Sequence, residues 1–333
     1  MKFLFPLLSF KKHGGIRVLS ALMNGLTRNG HEVYLAVPRN NYEDFYKLNP
    51  SVKKILLDST TKGPPGVIKT LLRLFLNTPN VDFVVVSFFP TYYPALLHKI
   101  FKKSRIIYFR EDAEQYFYPF PFSIFAELSY LLPQDYTPSI SKWVLRKTRA
   151  KGPILHPPID RNFIEHPQTK ERDFSTIIIF FRKDRRKGPG AALEIMRNSL
   201  FNNYQFIVVG EDPEIRAQNI KHLGFLSTRE LLKVYDSSGF IILTSKFEGF
   251  GLPPLEAMAR GCIPFIFTKT GPLEYIKSGK NGFLVSSPHE IAPILARLKD
   301  DIPKIQQISK NAIDTAKEFT EERFISNFLK MLS

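Results

Sequence analysis

Seven residues separate Glu248 from Glu256, and the stretch between and around them reads Glu248-Gly249-Phe250-Gly251-Leu252-Pro253-Pro254-Leu255-Glu256-Ala257-Met258-Ala259. Two carboxylates at that separation can each hold hydroxyl groups. The glycines let backbone N–H groups approach a phosphate or a sugar hydroxyl without a side chain in the way. The elements that must present them are legible nearby. Phe240 to Thr244 is an unbroken apolar run of strand length. Pro253 and Pro254 suit a first helical turn, where a missing N–H is harmless. The spacing predicts a helix from Leu255 to about Arg260, stopped at Gly261. An ordinary strand-turn-helix with two surface acids would also read this way.

The same style of sequence continues through Gly261-Cys262-Ile263-Pro264, Gly271-Pro272-Leu273-Glu274 and Gly279-Lys280-Asn281-Gly282-Phe283-Leu284-Val285. In this extended setting the chain resembles the nucleotide-sugar-dependent retaining glycosyltransferases of family 4 (glycosyl transferases group 1). The likeness is specific over residues 175–285, looser over 1–40 and weak over 41–165. It implies an α/β chain of GT-B fold, two Rossmann-like doubly wound domains facing across a cleft. Residues 1–157 would bind the acceptor, with a C-terminal helix over 316–333 packing back onto them, and 158–315 would bind the donor.

The resemblance also implies roles. Glu248 would hold sugar hydroxyls, and Gly249 with the amides of Phe250, Gly251 and Leu252 would touch sugar and phosphate. Glu256 would bind ribose. Arg182 and Lys187, five residues apart before Gly188, would neutralise the departing diphosphate. Gly210, at a strand's end, joins the donor set. Gly224, Phe225 and Leu226 would lie near the nucleotide base, and Gly14-Gly15 near the donor phosphate and acceptor. The donor is a co-substrate, and neither cofactor nor metal is implied. The acceptor would be a glycan or a lipid-linked sugar of cell-surface polysaccharide or glycoconjugate synthesis. One departure stands out. Where many relatives carry a histidine, this chain has Arg110-Glu111-Asp112 followed by Ala113-Glu114-Gln115-Tyr116-Phe117-Tyr118-Pro119, an acidic-aromatic stretch similar to some rhamnosyltransferases. Glu111 and Asp112 would orient the acceptor, or act as base if burial raises a pKa; the Arg110 charge next door would oppose that rise. Both could instead cap the segment that follows.

The remaining chain frames this reading. With 333 residues, 44% apolar, there is material for two α/β cores. One cysteine, Cys262, excludes a disulfide framework and fits a reducing, cytoplasmic setting. Formal charge is +16, and residues 1–165 hold 23 Lys and Arg against 12 Asp and Glu. Such a field favours anionic partners. With Lys69, Arg73, Lys99, Lys102, Lys103 and Arg105 near apolar helices, it fits peripheral contact with an acidic membrane. Basic nucleic-acid binding is the alternative that charge alone permits, but no nucleic-acid motif is present and no nucleic acid is expected. An epimerase of related fold is the other alternative.

In order, residues 3–9 read as a strand, His13-Gly14-Gly15 as a loop, and Ile16 to Asn29 as a helix. Further strands fall at 31–37, 53–57, 82–87, 106–109, 175–181 and 205–210, with helices at 67–76, 94–101, 288–299 and 303–333. The aromatic stretch from Phe117 to Phe125 would line an acceptor cleft, dip into a membrane, or lid the core.

Overall fold

The computed structural model describes residues 1–166 and 172–333. It divides into two compact units, Met1–Pro158 with Glu321–Ser333, and Ile159–Thr320.

In the first unit, strands β1 (Lys2–Pro6), β2 (Glu32–Pro38), β3 (Lys53–Leu57), β4 (Phe83–Val86) and β5 (Arg105–Tyr108) form a parallel sheet of order β3-β2-β1-β4-β5. The helices are α1 (Gly14–Arg28), α2 (Gly63–Leu76), α3 (Phe89–Lys102), α4 (Phe122–Leu131) and α5 (Lys142–Lys147). Central strands covered on both faces must be apolar throughout, and β4 is four buried residues in a row.

The second unit holds α6 (Arg161–Glu165), β6 (Asp173–Phe181), α7 (Pro189–Arg197), β7 (Gln205–Gly210), β8 (Ile220–Gly224), α8 (Thr228–Ser237), β9 (Ser238–Leu243), α9 (Leu252–Ala259), β10 (Ile263–Ile266), β11 (Phe283–Leu284), α10 (Ile291–Lys299) and α11 (Ile302–Ala316). Its sheet is parallel, of order β11-β10-β9-β6-β7-β8. The last helix, α12 (Glu321–Leu332), lies in the first unit against α1. There Ile325 fills the space a side chain at Gly25 would need, and Phe328 packs on Phe3. Among the described residues no helix is long and apolar enough to cross a membrane.

Three expectations change. The helix predicted over 303–333 is two helices, because Phe319 is drawn against Phe250 and Tyr275 and its carbonyl accepts from Ile159 N–H. Helix α3 begins at Phe89 and runs through Pro94. Its start is held by Glu114, whose Oε2 accepts from Phe89 N–H at 2.9 Å. Gly14 and Gly15 open α1 instead of forming a loop, since His13 caps the helix through Nδ1 accepting from Gly15 N–H.

Candidate functional site

In the second sheet, connections run outward in opposite directions from the neighbouring strands β6 and β9. Open α/β sheets bind ligands beyond the carboxyl ends of strands at such a switch. Arg182 directly follows β6, and Glu248 follows β9 by a short turn. The structure brings Lys187 and Glu248 together, with Nζ 2.7 Å from Oε1. Ser245 Oγ donates to the same oxygen at 2.6 Å. The Glu248 backbone is fixed too: its N–H donates to Thr270 Oγ1, and its carbonyl accepts from Gly271 N–H. Lys187 is positioned by Gly188, whose φ of 65° is a left-handed value and whose Cβ, if present, would overlap the Thr244 carbonyl.

The crowd of cations after β6 sorts itself by partner. Lys183 pairs with Glu214 at 2.5 Å and Arg186 with Asp184 at 2.5 Å. Arg182 lies over the exposed Phe225 ring, 4.4 Å from its centroid, and Nη1 donates to the Phe181 carbonyl. Leu226 beside it is buried. The Arg182–Phe225 stack was not legible in the sequence, because cation–π contacts leave no local pattern. Gly210, at the end of β7, is required by it: a Cβ there would overlap Arg182 Nη1 and the Phe181 carbonyl. Gly210→Ala should therefore displace Arg182; on the expectation that Arg182 serves a diphosphate, nucleoside-diphosphate binding should weaken by about tenfold or more, the worth of one charge-assisted hydrogen bond. Calorimetry on Gly210→Ala, Arg182→Ala and the double variant checks this. Fully additive losses would mean that the glycine does not act through Arg182.

The turn of Gly249, Phe250, Gly251 and Leu252 is braced from within. Gly251 has φ 84° and precedes α9, and its carbonyl accepts from Tyr275 Oη at 2.5 Å. Phe250 is buried against Tyr275. Because α9 starts at Leu252, Glu256 lies in its second turn and not in the first, as the later predicted start implied. Glu256 is buried, and Tyr235 Oη donates to it at 3.3 Å. Cys262 is a core residue whose thiol is pushed up to about 11 by burial. His222 is a strand residue that donates from Nε2 to the Gly210 carbonyl.

In the first unit, Glu111 follows β5 and its Oε2 occupies the place a side chain at Gly15 would take. Glu111 Oε1 is buried without a hydrogen-bond partner. Burial, then the charges of Glu114 and Asp112, hold its carboxyl well above the usual range. Arg110 does not oppose this, contrary to the sequence expectation. Its guanidinium is buried over Tyr108 at 3.3 Å and beside Tyr130 at 4.2 Å, and Nη2 donates to Gln134. Successive residues leaving a strand project to opposite sides, and the tyrosine side took the arginine. Asp112 Oδ1 accepts from the adjacent Ala113 N–H at 2.8 Å, and the short turn Glu114–Tyr116 that follows starts at Ala113 with no side-chain cap bond. Glu114, to which the sequence assigned no separate role within its acidic-aromatic stretch, is a buried carboxyl pushed up to about 8 by desolvation.

Residues 160–315 match the family model described as glycosyl transferases group 1. They are a glycosyl transferases group 1 domain. The domain contains Arg182, Lys187, Glu248 and Glu256. A curated relative, a probable sucrose-phosphate synthase of Thermosipho melanesiensis, is 30% identical over 200 residues, covering 54% of this chain and 46% of its own. The chain spans less than half the length of the curated relatives it matches first. Among solved structures, Anabaena HepE in complex with UDP-glucose superposes with a TM-score of 0.77 at 16% identity, covering 100% of this chain and 99% of HepE. The sucrose-phosphate synthase of Thermosynechococcus elongatus gives 0.80 at 15%, over 99% and 98%. The fold is that of the GT-B glycosyltransferases.

Proposed function

We propose that the chain transfers a sugar from a nucleoside-diphosphate sugar to a glycan or lipid-linked acceptor with retention, in cell-surface polysaccharide or glycoconjugate synthesis. The observation that carries this is the Lys187–Glu248 pair at the switch point, flanked by Arg182. A cation for the diphosphate and a carboxylate for sugar hydroxyls already touch there. On donor binding the ammonium turns to the phosphate and the carboxylate to the sugar. Arg182 and Lys187 supply the countercharge to the leaving diphosphate, with no metal or cofactor in the scheme. The exposed Phe225 offers a face for the base, and Glu256 holds the ribose. That HepE was solved with UDP-glucose supports a donor of this class.

A thermal-shift screen of nucleoside diphosphates and their sugars tests the donor, since a ligand of the native state raises its melting temperature by mass action. No shift with any of them would overturn the reading. Mass analysis after donor incubation then separates transfer from epimerisation.

On the acceptor side, Glu111 acts as base and Asp112 positions the segment after it. A base must be deprotonated, so kcat/KM should rise with pH through the raised Glu111 pKa. Glu111→Gln should remove that rise and lower the rate by about a hundredfold while leaving donor affinity intact. Asp112→Asn should give a smaller loss with the pH profile kept. A parental rate and profile in Glu111→Gln would remove the carboxylate from the mechanism.

A further inference from the structure

Of the 19 large hydrophobic residues exposed among the described residues, 13 lie between Ile68 and Leu131, so the exposure is concentrated in one stretch of the first unit. On α2, Ile68, Leu72 and Leu76 recur at four-residue intervals and form one outward stripe. Helix α3 packs against α2 and α4 and ends in exposed Ile100 and Phe101. On α4 the outward positions are Ile124, Phe125, Leu128 and Leu131, while Ala126 and Ser129 are buried. A water-facing helix normally reverses this arrangement, with its apolar stripe inward. Scattered exposed apolar residues need no explanation, but a contiguous face of them does.

The charge around α2 and α3 is positive, while α4 carries one exposed acid, Glu127, and no cation. Lys69 stands beside Ile68 on α2 and is exposed. Where α2 and α3 end, a cavity of 380 Å³ is lined by Lys2, Lys102, Lys103 and Arg105, with Asp82 its single acid. Lys102 is engaged by the carbonyls of Phe75 and Thr78, and Lys99 by Asp135. Lys103 and Arg105 are exposed. The unit as a whole carries 24 Lys and Arg against 12 Asp and Glu.

We propose that this face docks on an anionic phospholipid bilayer. The apolar residues of α2, α3 and α4 enter the boundary between headgroups and acyl chains, and the cavity at the helix ends takes a headgroup phosphate. An apolar stripe rimmed by lysine suits that interface, where interfacial helices bury one face and leave cations among acidic headgroups. A second copy of the chain fits less well, because a two-fold contact would bring the same positive surfaces together. The inference does not depend on the sugar-transfer reading.

Sedimentation with vesicles of phosphatidylcholine alone, and of phosphatidylcholine mixed with phosphatidylglycerol, tests it on the full chain. The mixed vesicles should bind the protein and the neutral ones should not, and binding should fall as salt rises. Phe125→Glu with Leu128→Glu should reduce binding by about a hundredfold, through lost apolar burial. Lys103→Glu should reduce it by about tenfold. Both sets of side chains point outward, so circular dichroism should match the parent. Binding to neither vesicle, equal binding to both, or undiminished binding by the variants would each overturn the proposal. So would a concentration-dependent dimer in analytical ultracentrifugation that Leu128→Glu abolishes, since a second copy would then cover the face.

Discussion

Lys187→Ala should lower kcat/KM for transfer by about a hundred- to a thousandfold, the usual effect of removing one preorganised charge from a developing anion. Lys187 is held at a strand end by Gly188 and Thr244, whose Oγ1 donates to the Lys187 carbonyl at 2.9 Å. Its ammonium is engaged by Glu248. On the proposed function, donor binding breaks this ion pair to make another. This fixes the sign of the partner variant. Glu248→Gln frees the lysine, so affinity for nucleoside diphosphate alone should stay level or rise, while affinity for the nucleotide sugar and turnover fall. Glu256→Gln should weaken both ligands, because ribose is common to them. The double variant of Lys187 and Glu248 should lose less than the two single losses combined, since contacting residues are coupled. Calorimetry with diphosphate and steady-state kinetics with the donor are the measurements. A Lys187→Ala enzyme within twofold of the parent would sink the assignment.

Asp236→Ala should destabilise the second unit by about 3–5 kcal/mol, the typical loss on breaking a buried ion pair. Arg260 Nε lies 2.7 Å from Asp236 Oδ1, with side chains 4% and 5% exposed. The same guanidinium donates to the Phe163 and His166 carbonyls, tying α6 to the end of α9. Removing the carboxylate leaves a desolvated cation with only neutral acceptors. Asp236→Ala combined with Arg260→Met should be much milder, because no buried charge remains. Hydrogen exchange at β9 amides across a urea series reads the stability of this unit directly. A loss below about 1 kcal/mol would mean that water reaches the pair and screens it.

Much of the molecule was legible residue by residue. The apolar runs at 82–87 and 175–181 read as strands covered on both faces, and both are interior in their sheets. The glycine-proline turn between Glu248 and Glu256 specified strand, turn and helix within a span where each residue acts on its near neighbours. The end of α9 was read within a residue, since Gly261 with φ 85° stops it. Its start was misplaced because Gly251 in a left-handed conformation opens the helix before the prolines do.

What the sequence determined by itself was therefore the fold class, most elements and the types of residue gathered at the candidate site, because hydrophobic period, turn chemistry and motif spacing operate over a few positions. Tertiary structure alone decided the partnerships. Lys187 meets Glu248 from 61 positions away. Arg182 finds Phe225, and Arg110 turns to Tyr108 and Tyr130, which leaves Glu111 without the neighbour in sequence that was expected to restrain it. Charge and stacking energies depend on distance in space and on local dielectric, and neither is a property of sequence separation.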